Sequence, residues 1–114
     1  MELEIEQRKD VCILHFKGRF VTGVDPQDLR AKSEQIRNLD CAKVLVDLHD
    51  VPAMGSTGIG FVVAIYTSAM KRDGGRFVMT GATPRVHEVF KITRLDHVIP
   101  WATDVDSGIA SLNG

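Results

Sequence analysis

Apolar and polar residues alternate at the start of the chain in the manner of β-strands. Leu3 and Ile5 are separated by glutamates, and residues 11–16 form a run of mostly apolar, β-rich side chains. The polar triplet Arg-Lys-Asp at residues 8–10 lies between the two segments and is typical of a turn. This pattern predicts an antiparallel hairpin whose second strand ends at Gly18.

Helical signals replace the alternation after this hairpin. Asp25 and Pro26 supply a helix N-cap and a proline at the first helical position, which predicts a helix over residues 26–38. Its apolar stripe is thin and consists of Leu29, Ala31, Ser33 and Ile36. We therefore expect a surface helix that buries one edge.

The rest of the chain alternates between short apolar runs and helical segments. Residues 43–48 form a nearly continuous apolar run, which favours a central strand covered on both faces. Further strands are predicted at residues 76–80 and 97–101, and helices that begin after Thr83 and after Thr103 or Asp104 follow them.

The helix predicted over residues 56–72 has the strongest pattern. Apolar residues recur at helical spacing, and Gly74 and Gly75 end the segment. The members of this stripe are Ile59, Val62, Val63, Tyr66 and Met70. Phe61 and Ile65 lie on another side, where they are either further core contacts or part of an exposed patch.

The predicted element order is β-β-α-β-α-β-α-β-α. Each β-α-β unit requires neighbouring parallel strands with a right-handed crossover. A chain of 114 residues has room for one core. We therefore predict a single α/β domain over residues 1–114, with a mixed, mostly parallel sheet, an N-terminal antiparallel hairpin and about four helices.

Composition and charge exclude several classes of function. The net charge is −1, and the absence of a basic run argues against nucleic-acid binding. The longest apolar run, residues 61–65, is far shorter than the roughly 20 residues of a membrane span. The acidic start, Met-Glu-Leu-Glu, argues against a secretory signal, so we expect a cytoplasmic protein.

The metal-ligating residue types show no site. Cys12 and Cys41 lie in or beside apolar strands without a Cys-x-x-Cys pair, which favours buried thiols over a disulfide or a metal site. The four histidines have no His-x-x-x-His spacing. We expect neither a metal ion nor a cofactor.

The turn Met-Gly-Ser-Thr-Gly-Ile-Gly at residues 54–60 joins an apolar strand to an apolar helix, where α/β proteins often bind phosphate groups. Its glycines follow G-x-x-G-x-G, whereas a dinucleotide site needs G-x-G-x-x-G. The lysine of a triphosphate-binding loop is absent, and Met54 stands where a serine-hydrolase elbow needs a glycine before Ser56. No catalytic residue is predicted.

Two interpretations of the turn remain. Ser56 or Thr57 caps the following helix, and Gly58 and Gly60 permit close packing. Alternatively, a hydroxyl at the positive end of the helix dipole is a phosphorylation site, because the fold tolerates the added charge there. A partner surface that contacts the turn through apolar or acidic groups would be repelled by that phosphate.

Five segments in order carry a resemblance to a known family. They are the hairpin ending at Gly18, V-L-V-D-L-H-D-V-P at residues 44–52, the turn at residues 54–60, K-R-D-G-G-R-F-V-M-T-G at residues 71–81, and P-R-V-H-E-V-F-K-I-T-R-L-D-H-V-I-P at residues 84–100. Together they resemble a STAS domain, specifically the single-domain anti-sigma factor antagonists of bacterial partner-switching systems. The resemblance covers nearly the whole chain.

The resemblance implies a binding protein that is not an enzyme. In this family the antagonist binds an anti-sigma factor that is also a serine kinase, the kinase phosphorylates a serine in the turn, and a protein serine phosphatase reverses the modification. The matching serine is Ser56, with Thr57 as the second choice. A monomer or weak dimer is expected. The implied docking residues are Phe20, Thr22, Met54, Gly55, Ser56, Thr57, Gly58, Ile59 and Phe61.

Gly55 departs from the family pattern, because it stands where the family has an aspartate before the acceptor serine. If that carboxylate orients the hydroxyl or assists the kinase, phosphorylation of Ser56 is slow or absent. Two alternatives stay open, and the missing aspartate favours the first. One is a STAS scaffold or transporter-associated subunit that is not phosphorylated, and the other is a sensor that binds a small anion or nucleotide at the helix N-terminus.

Overall fold

The computed structural model describes residues 1–20 and 25–114. The elements are β1 (Glu2–Arg8), β2 (Val11–Lys17), α1 (Pro26–Arg37), β3 (Lys43–Asp50), α2 (Ser56–Lys71), β4 (Arg76–Thr80), α3 (Pro84–Ile92), β5 (Trp101–Ala102) and α4 (Val105–Asn113). This order confirms the one predicted from the sequence. None of the helices in these two ranges is long and apolar enough to cross a membrane.

The five strands form one sheet in the order β1-β2-β3-β4-β5. β1 pairs with β2 antiparallel, and Lys9 in the turn between them has a φ of 56°, in the left-handed region. The other three pairings are parallel. The mixed sheet, the N-terminal hairpin and the central position of β3 are confirmed.

Helices cover the two faces of the sheet unequally. On one face, strand residues such as Leu14 and Val46 join buried residues of α1, α2 and α3 in the larger core cluster. On the other face, Leu45 and Val78 pack with Leu112 of α4 in a smaller cluster. At the carboxyl ends of β2 and β3, residues 18–20 are hydrogen-bonded to residues 50–55, which lead directly into α2.

The predicted helix starts agree with the structure. Asp25 accepts a hydrogen bond from the Gln27 N–H at 2.9 Å, and Thr83 accepts one from the Val86 N–H at 3.2 Å. Asp104 is the cap of α4, where its carboxylate accepts from the Ser107 N–H at 2.7 Å. Each cap satisfies an N–H group that has no partner inside the helix.

Two predictions about apolar segments need correction. The last strand is Trp101–Ala102 rather than residues 97–101, because the N–H groups of Val98 and Ile99 donate to the Leu95 carbonyl and so cannot pair with β4. Met70, a member of the apolar stripe predicted for α2, is 48% exposed, and the buried residues of this helix are Gly58, Val62, Ile65 and Ala69. The side chain of Ile65 is in the core.

The prediction of two free thiols is wrong, because Cys12 and Cys41 form a disulfide. β2 and β3 are parallel, and Cys12 is paired with Val44, three residues after Cys41. Both cysteines therefore lie at the same end of adjacent strands, with Cα atoms 5.9 Å apart, a usual spacing for a disulfide. The pairing of β2 with β3 thus brings together two cysteines that are 29 residues apart in the sequence.

Candidate functional site

The turn after β3 is held against the segment that follows β2. Phe20 and Met54 form an isolated parallel bridge. The Phe20 N–H donates to the Ala53 carbonyl and the Gly55 N–H donates to the Phe20 carbonyl, both at 2.8 Å. Phe20 and Met54 are buried. The apolar character of this loop is thereby explained, because the loop extends the core past the end of β3.

Gly58 lets the start of α2 approach this bridge. A Cβ atom on Gly58 would lie 2.6 Å from Met54 Cγ and 2.8 Å from the Phe20 carbonyl oxygen. Both distances are shorter than van der Waals contact. A Cβ on Gly60, in contrast, would meet nothing within 4 Å. Of the two glycines predicted to permit close packing, only Gly58 does so.

The helix α2 begins at Ser56 without a side-chain cap. Gly55 is the N-cap residue, with extended φ and ψ of −114° and −165°, and no side chain accepts a hydrogen bond there. The interpretation in which Ser56 or Thr57 caps the helix is wrong, because both residues lie inside its first turn. The first turn contains no acidic residue either, so the positive end of the helix dipole is not neutralised by its own turn.

The nine residues expected to dock on a partner fall into three groups. Ser56 is exposed, and Gly55, Thr57, Ile59 and Phe61 are partly exposed. The buried members, which support the turn from below, are Phe20, Met54 and Gly58. Thr22 lies outside the described residues. The accessible part of the proposed surface is therefore the first turns of α2, with Ser56 as its most exposed member.

Phe61 joins this surface to the core. Its ring centroid lies 5.9 Å from that of Phe16, edge to face, and 5.4 Å from that of Phe20. The other side of Phe61 lines a groove between α1 and α2, a cavity of about 280 Å³ whose wall also includes Ile36, Cys41 and Arg72. The sequence gives no signal for this groove, because it depends on how loosely two helices pack.

A buried carboxylate, Asp47, lies on the α4 side of the sheet and was not predicted. Asp47 is 3% exposed and interrupts the apolar run of β3. The His15 Nδ1 lies 2.8 Å from Asp47 Oδ2, and the His15 Nε2 lies 3.1 Å from Glu6 Oε1. His49 Nδ1 is 2.9 Å from both Asp47 oxygens. Asp47, a polar residue within an apolar strand, is the sequence signal from which this cluster could have been predicted.

Both ring nitrogens of His15 face carboxylates, so both donate only when the ring is doubly protonated. Burial lowers the pKa of His15, but the hydrogen bonds to Glu6 and Asp47 outweigh it, and the pKa is raised overall. For Asp47, burial has the opposite effect and raises the pKa. Hydrogen bonds from His49 and His15 outweigh burial, so the pKa of Asp47 is lowered overall. The cluster thus ties β1, β2 and β3 together by charge.

This cluster has no geometry for metal binding. Within residues 1–20 and 25–114, no group of three or more histidine, cysteine, aspartate or glutamate side chains is arranged to hold a metal ion. Gly81, with a φ of 79°, closes over the carboxylate, since a Cβ there would lie 2.7 Å from Asp47 Oδ1. The arrangement fits a structural charge network better than a ligand site.

Known proteins are similar to this chain in sequence and in structure. An anti-sigma F factor antagonist from Paenibacillus polymyxa is 21% identical over 100 residues, which cover 88% of this chain and 85% of that protein. A Thermotoga maritima protein assigned as an anti-sigma factor antagonist has a TM-score of 0.86 at 20% identity, covering 98% of this chain and 95% of that one.

The antagonist SpoIIAA gives a third comparison. Its unphosphorylated form has a TM-score of 0.78 at 17% identity, covering 99% of this chain and 97% of that one. Its phosphorylated form, from Bacillus, has a TM-score of 0.68 at 17% identity, covering 97% and 99%. The STAS domain family model matches residues 2–108 of this chain. Since this match spans nearly the whole sequence, the chain belongs to the STAS domain family.

Proposed function

We propose that this STAS domain is an anti-sigma factor antagonist. It binds an anti-sigma factor of the serine-kinase type through the exposed start of α2, and phosphorylation of Ser56 releases it. A protein serine phosphatase removes the phosphate and restores binding. In this scheme the protein catalyses no reaction, uses no cofactor and acts in the cytoplasm.

The observation that carries the proposal is the environment of Ser56. Its side chain is exposed at the first position of α2, beside N–H groups that no side chain caps and with no acidic residue in the first turn. A phosphate adds a charge of about −1.5 to −2, which is favourable at the positive end of a helix dipole. The fold therefore accepts the modification, whereas a partner packed against the turn does not.

The relatives support the same mechanism. SpoIIAA, which shares this fold, has been solved in a phosphorylated and an unphosphorylated form. The Paenibacillus polymyxa relative is also an anti-sigma factor antagonist. A protein whose fold persists in both states suits a switch in which the surface changes and the core does not.

Gly55 favours a second candidate function. Its extended backbone is one that aspartate adopts readily, so backbone strain does not require a glycine at this position. The missing carboxylate is thus a difference of chemistry from the family's usual turn. A STAS scaffold or transporter-associated subunit that binds a partner through the same surface without phosphorylation accounts for this difference.

A binding experiment with four baits separates the two candidates. Wild type, Ser56→Ala, Ser56→Asp and the control Thr67→Asp are used to capture proteins from lysate of the native host. Thr67 is exposed on the same helix 11 residues later, roughly 16 Å away along the axis, so the control adds the same charge outside the turn. Captured proteins are identified by mass spectrometry, then purified for affinity measurements.

The antagonist function predicts that a kinase-type anti-sigma factor binds every bait except Ser56→Asp. The purified partner, given ATP, should also phosphorylate wild type and leave Ser56→Ala unmodified. Equal affinity for all four baits, with no phosphate on Ser56, contradicts the switch and supports the scaffold function.

A further inference from the structure

The Cys12–Cys41 disulfide lies at the wall of the groove between α1 and α2. Cys41 lines this groove together with Arg72 near the end of α2 and Phe61 near its start. Cys12 is fully buried and Cys41 is 3% exposed. The groove therefore connects the disulfide, at one end of α2, with a residue of the proposed docking surface at the other.

The two cysteines are held with unequal rigidity. Cys12 is in β2 and is paired with Gln7 of β1 and Val44 of β3. Cys41 is in the irregular connection between α1 and β3. When the bond between them is broken, the sulfur atoms must separate to van der Waals contact. Because β2 is fixed on both sides, the displacement falls on Cys41.

The position of Cys41 is coupled to the ends of both helices. Arg72 Nη1 donates to the Cys41 carbonyl at 3.1 Å, and Arg72 Nη2 donates to the Arg37 carbonyl, in the last turn of α1, at 3.2 Å. A shift of Cys41 therefore changes the hydrogen bonds that hold α1 against α2. The cavity of about 280 Å³ beside it gives the connection room to move.

We propose that the Cys12–Cys41 bond is a reversible redox modification that sets the width of the α1–α2 groove. In the oxidised protein the groove has one defined geometry, and reduction loosens the end of α1. Because Phe61 lines the groove and flanks the docking turn, the modification also changes the affinity for the partner. This last step rests on the proposed function, whereas the change in the groove does not.

The reaction is thiol–disulfide exchange with an external dithiol. A thiolate of the dithiol attacks the sulfur of Cys41, the cysteine that lines the groove, and the Cys12 sulfur leaves as a thiolate. The second thiol of the reductant then displaces Cys41 and closes the reductant's own disulfide. Two electrons pass to the protein, and both cysteines end as thiols after each takes a proton. Oxidation is the reverse reaction with a disulfide oxidant.

The first test needs no partner. Oxidised wild type is treated with dithiothreitol in the absence of denaturant and alkylated with iodoacetamide, and the mass reports the thiols formed. Amide spectra recorded by NMR before and after reduction should change at Arg37, Phe61 and Arg72 and stay unchanged at Phe90, in α3. A bond that is reduced only in denaturant, or amide changes confined to the immediate sequence neighbours of the cysteines, overturns the proposal.

The variant Cys12→Ala removes the bond and retains Cys41. Its amide spectrum should match that of the reduced wild type in the groove and should not respond to dithiothreitol. A spectrum that matches the oxidised wild type instead contradicts the proposal. If the variant does not fold, the comparison of oxidised with reduced wild type still shows whether breaking the disulfide changes the groove.

The second test measures the affinity of the identified anti-sigma factor for both redox forms. The oxidised form should bind at least about fivefold more tightly, the lower end of usual coupling between two sites. If neither form binds an anti-sigma factor, the proposed function fails while the change in the groove stands. If both forms bind equally although the groove changes, the link to the docking surface is overturned.

Discussion

The carbonyl oxygen of Phe20 occupies the space that a side chain on Gly58 would need. A Cβ on Gly58 falls 2.8 Å from that oxygen and 3.0 Å from Phe20 Cγ. The same carbonyl accepts the Gly55 N–H at 2.8 Å, so it cannot move away without breaking the bond that holds the turn. The position of Ser56 therefore depends on the absence of a side chain two residues later.

Gly58→Ala should destabilise the protein, although alanine is the better helix former. Alanine gains about 1 kcal/mol in helix propensity, but overpacking a close contact usually costs about 1–3 kcal/mol. We expect a net loss of about 1 kcal/mol. Gly60→Ala is the matched control and should stabilise by about 0.5–1 kcal/mol, since its Cβ meets nothing within 4 Å. Urea unfolding measures both. Equal effects at the two positions would contradict the close approach.

Ser56→Asp should leave the fold intact and raise its stability slightly. A carboxylate in the first turn of a helix is favourable by about 0.3–1 kcal/mol, and α2 has no acidic residue there. Thr67→Asp, in the fourth turn of the same helix, lacks this interaction and should not stabilise. Thermal unfolding of both variants at low ionic strength tests the difference. A lower melting temperature for Ser56→Asp alone would show that the turn does not accept negative charge.

Gly55→Asp should speed phosphorylation of Ser56 by the partner kinase if the lost carboxylate orients the hydroxyl. The substitution also supplies an N-cap side chain, worth a few tenths of a kcal/mol more than glycine. Gly55→Asn is the matched control, because it caps the helix without adding a carboxylate. The rate of phosphate incorporation from ATP distinguishes them. Equal rates for wild type, Asp and Asn would mean that the family's aspartate has no part in the transfer.

The sequence predicted most of this fold because local signals and hydrophobic period agree along the chain. Caps at Asp25, Thr83 and Asp104 lie where the sequence places them. The last strand begins later than predicted because the N–H groups of Val98 and Ile99 donate to the Leu95 carbonyl. An apolar run in the sequence does not show whether its N–H groups bond locally or to another strand. The disulfide was missed because it joins residues that only the parallel pairing of β2 and β3 brings together.

The candidate site was predicted in part. The position of Ser56 at the start of a helix follows from the glycine-rich turn, and its side chain is exposed. That Phe20 and Met54 support the turn from the core could not be read from the sequence, since an apolar loop is compatible with either an exposed patch or burial. The identity of the partner could not be predicted either, because the residue types of a surface do not specify which protein binds it.

The stability of the protein should depend on pH through His15. The pKa of His15 is raised in the folded state by Glu6 and Asp47. The stabilisation that the His15 imidazolium contributes is therefore complete below its unfolded-state pKa of about 6.5 and is lost as pH rises through its folded-state pKa. The pKa of Asp47 is lowered, so that carboxylate stays ionised throughout this window. The free energy of unfolding of wild type minus that of His15→Gln should therefore be larger at pH 6 than at pH 9. Urea unfolding across this range measures it, with His97→Gln, whose side chain is 90% exposed, as the control. A difference that does not change with pH would mean that His15 is not held as an imidazolium between the two carboxylates.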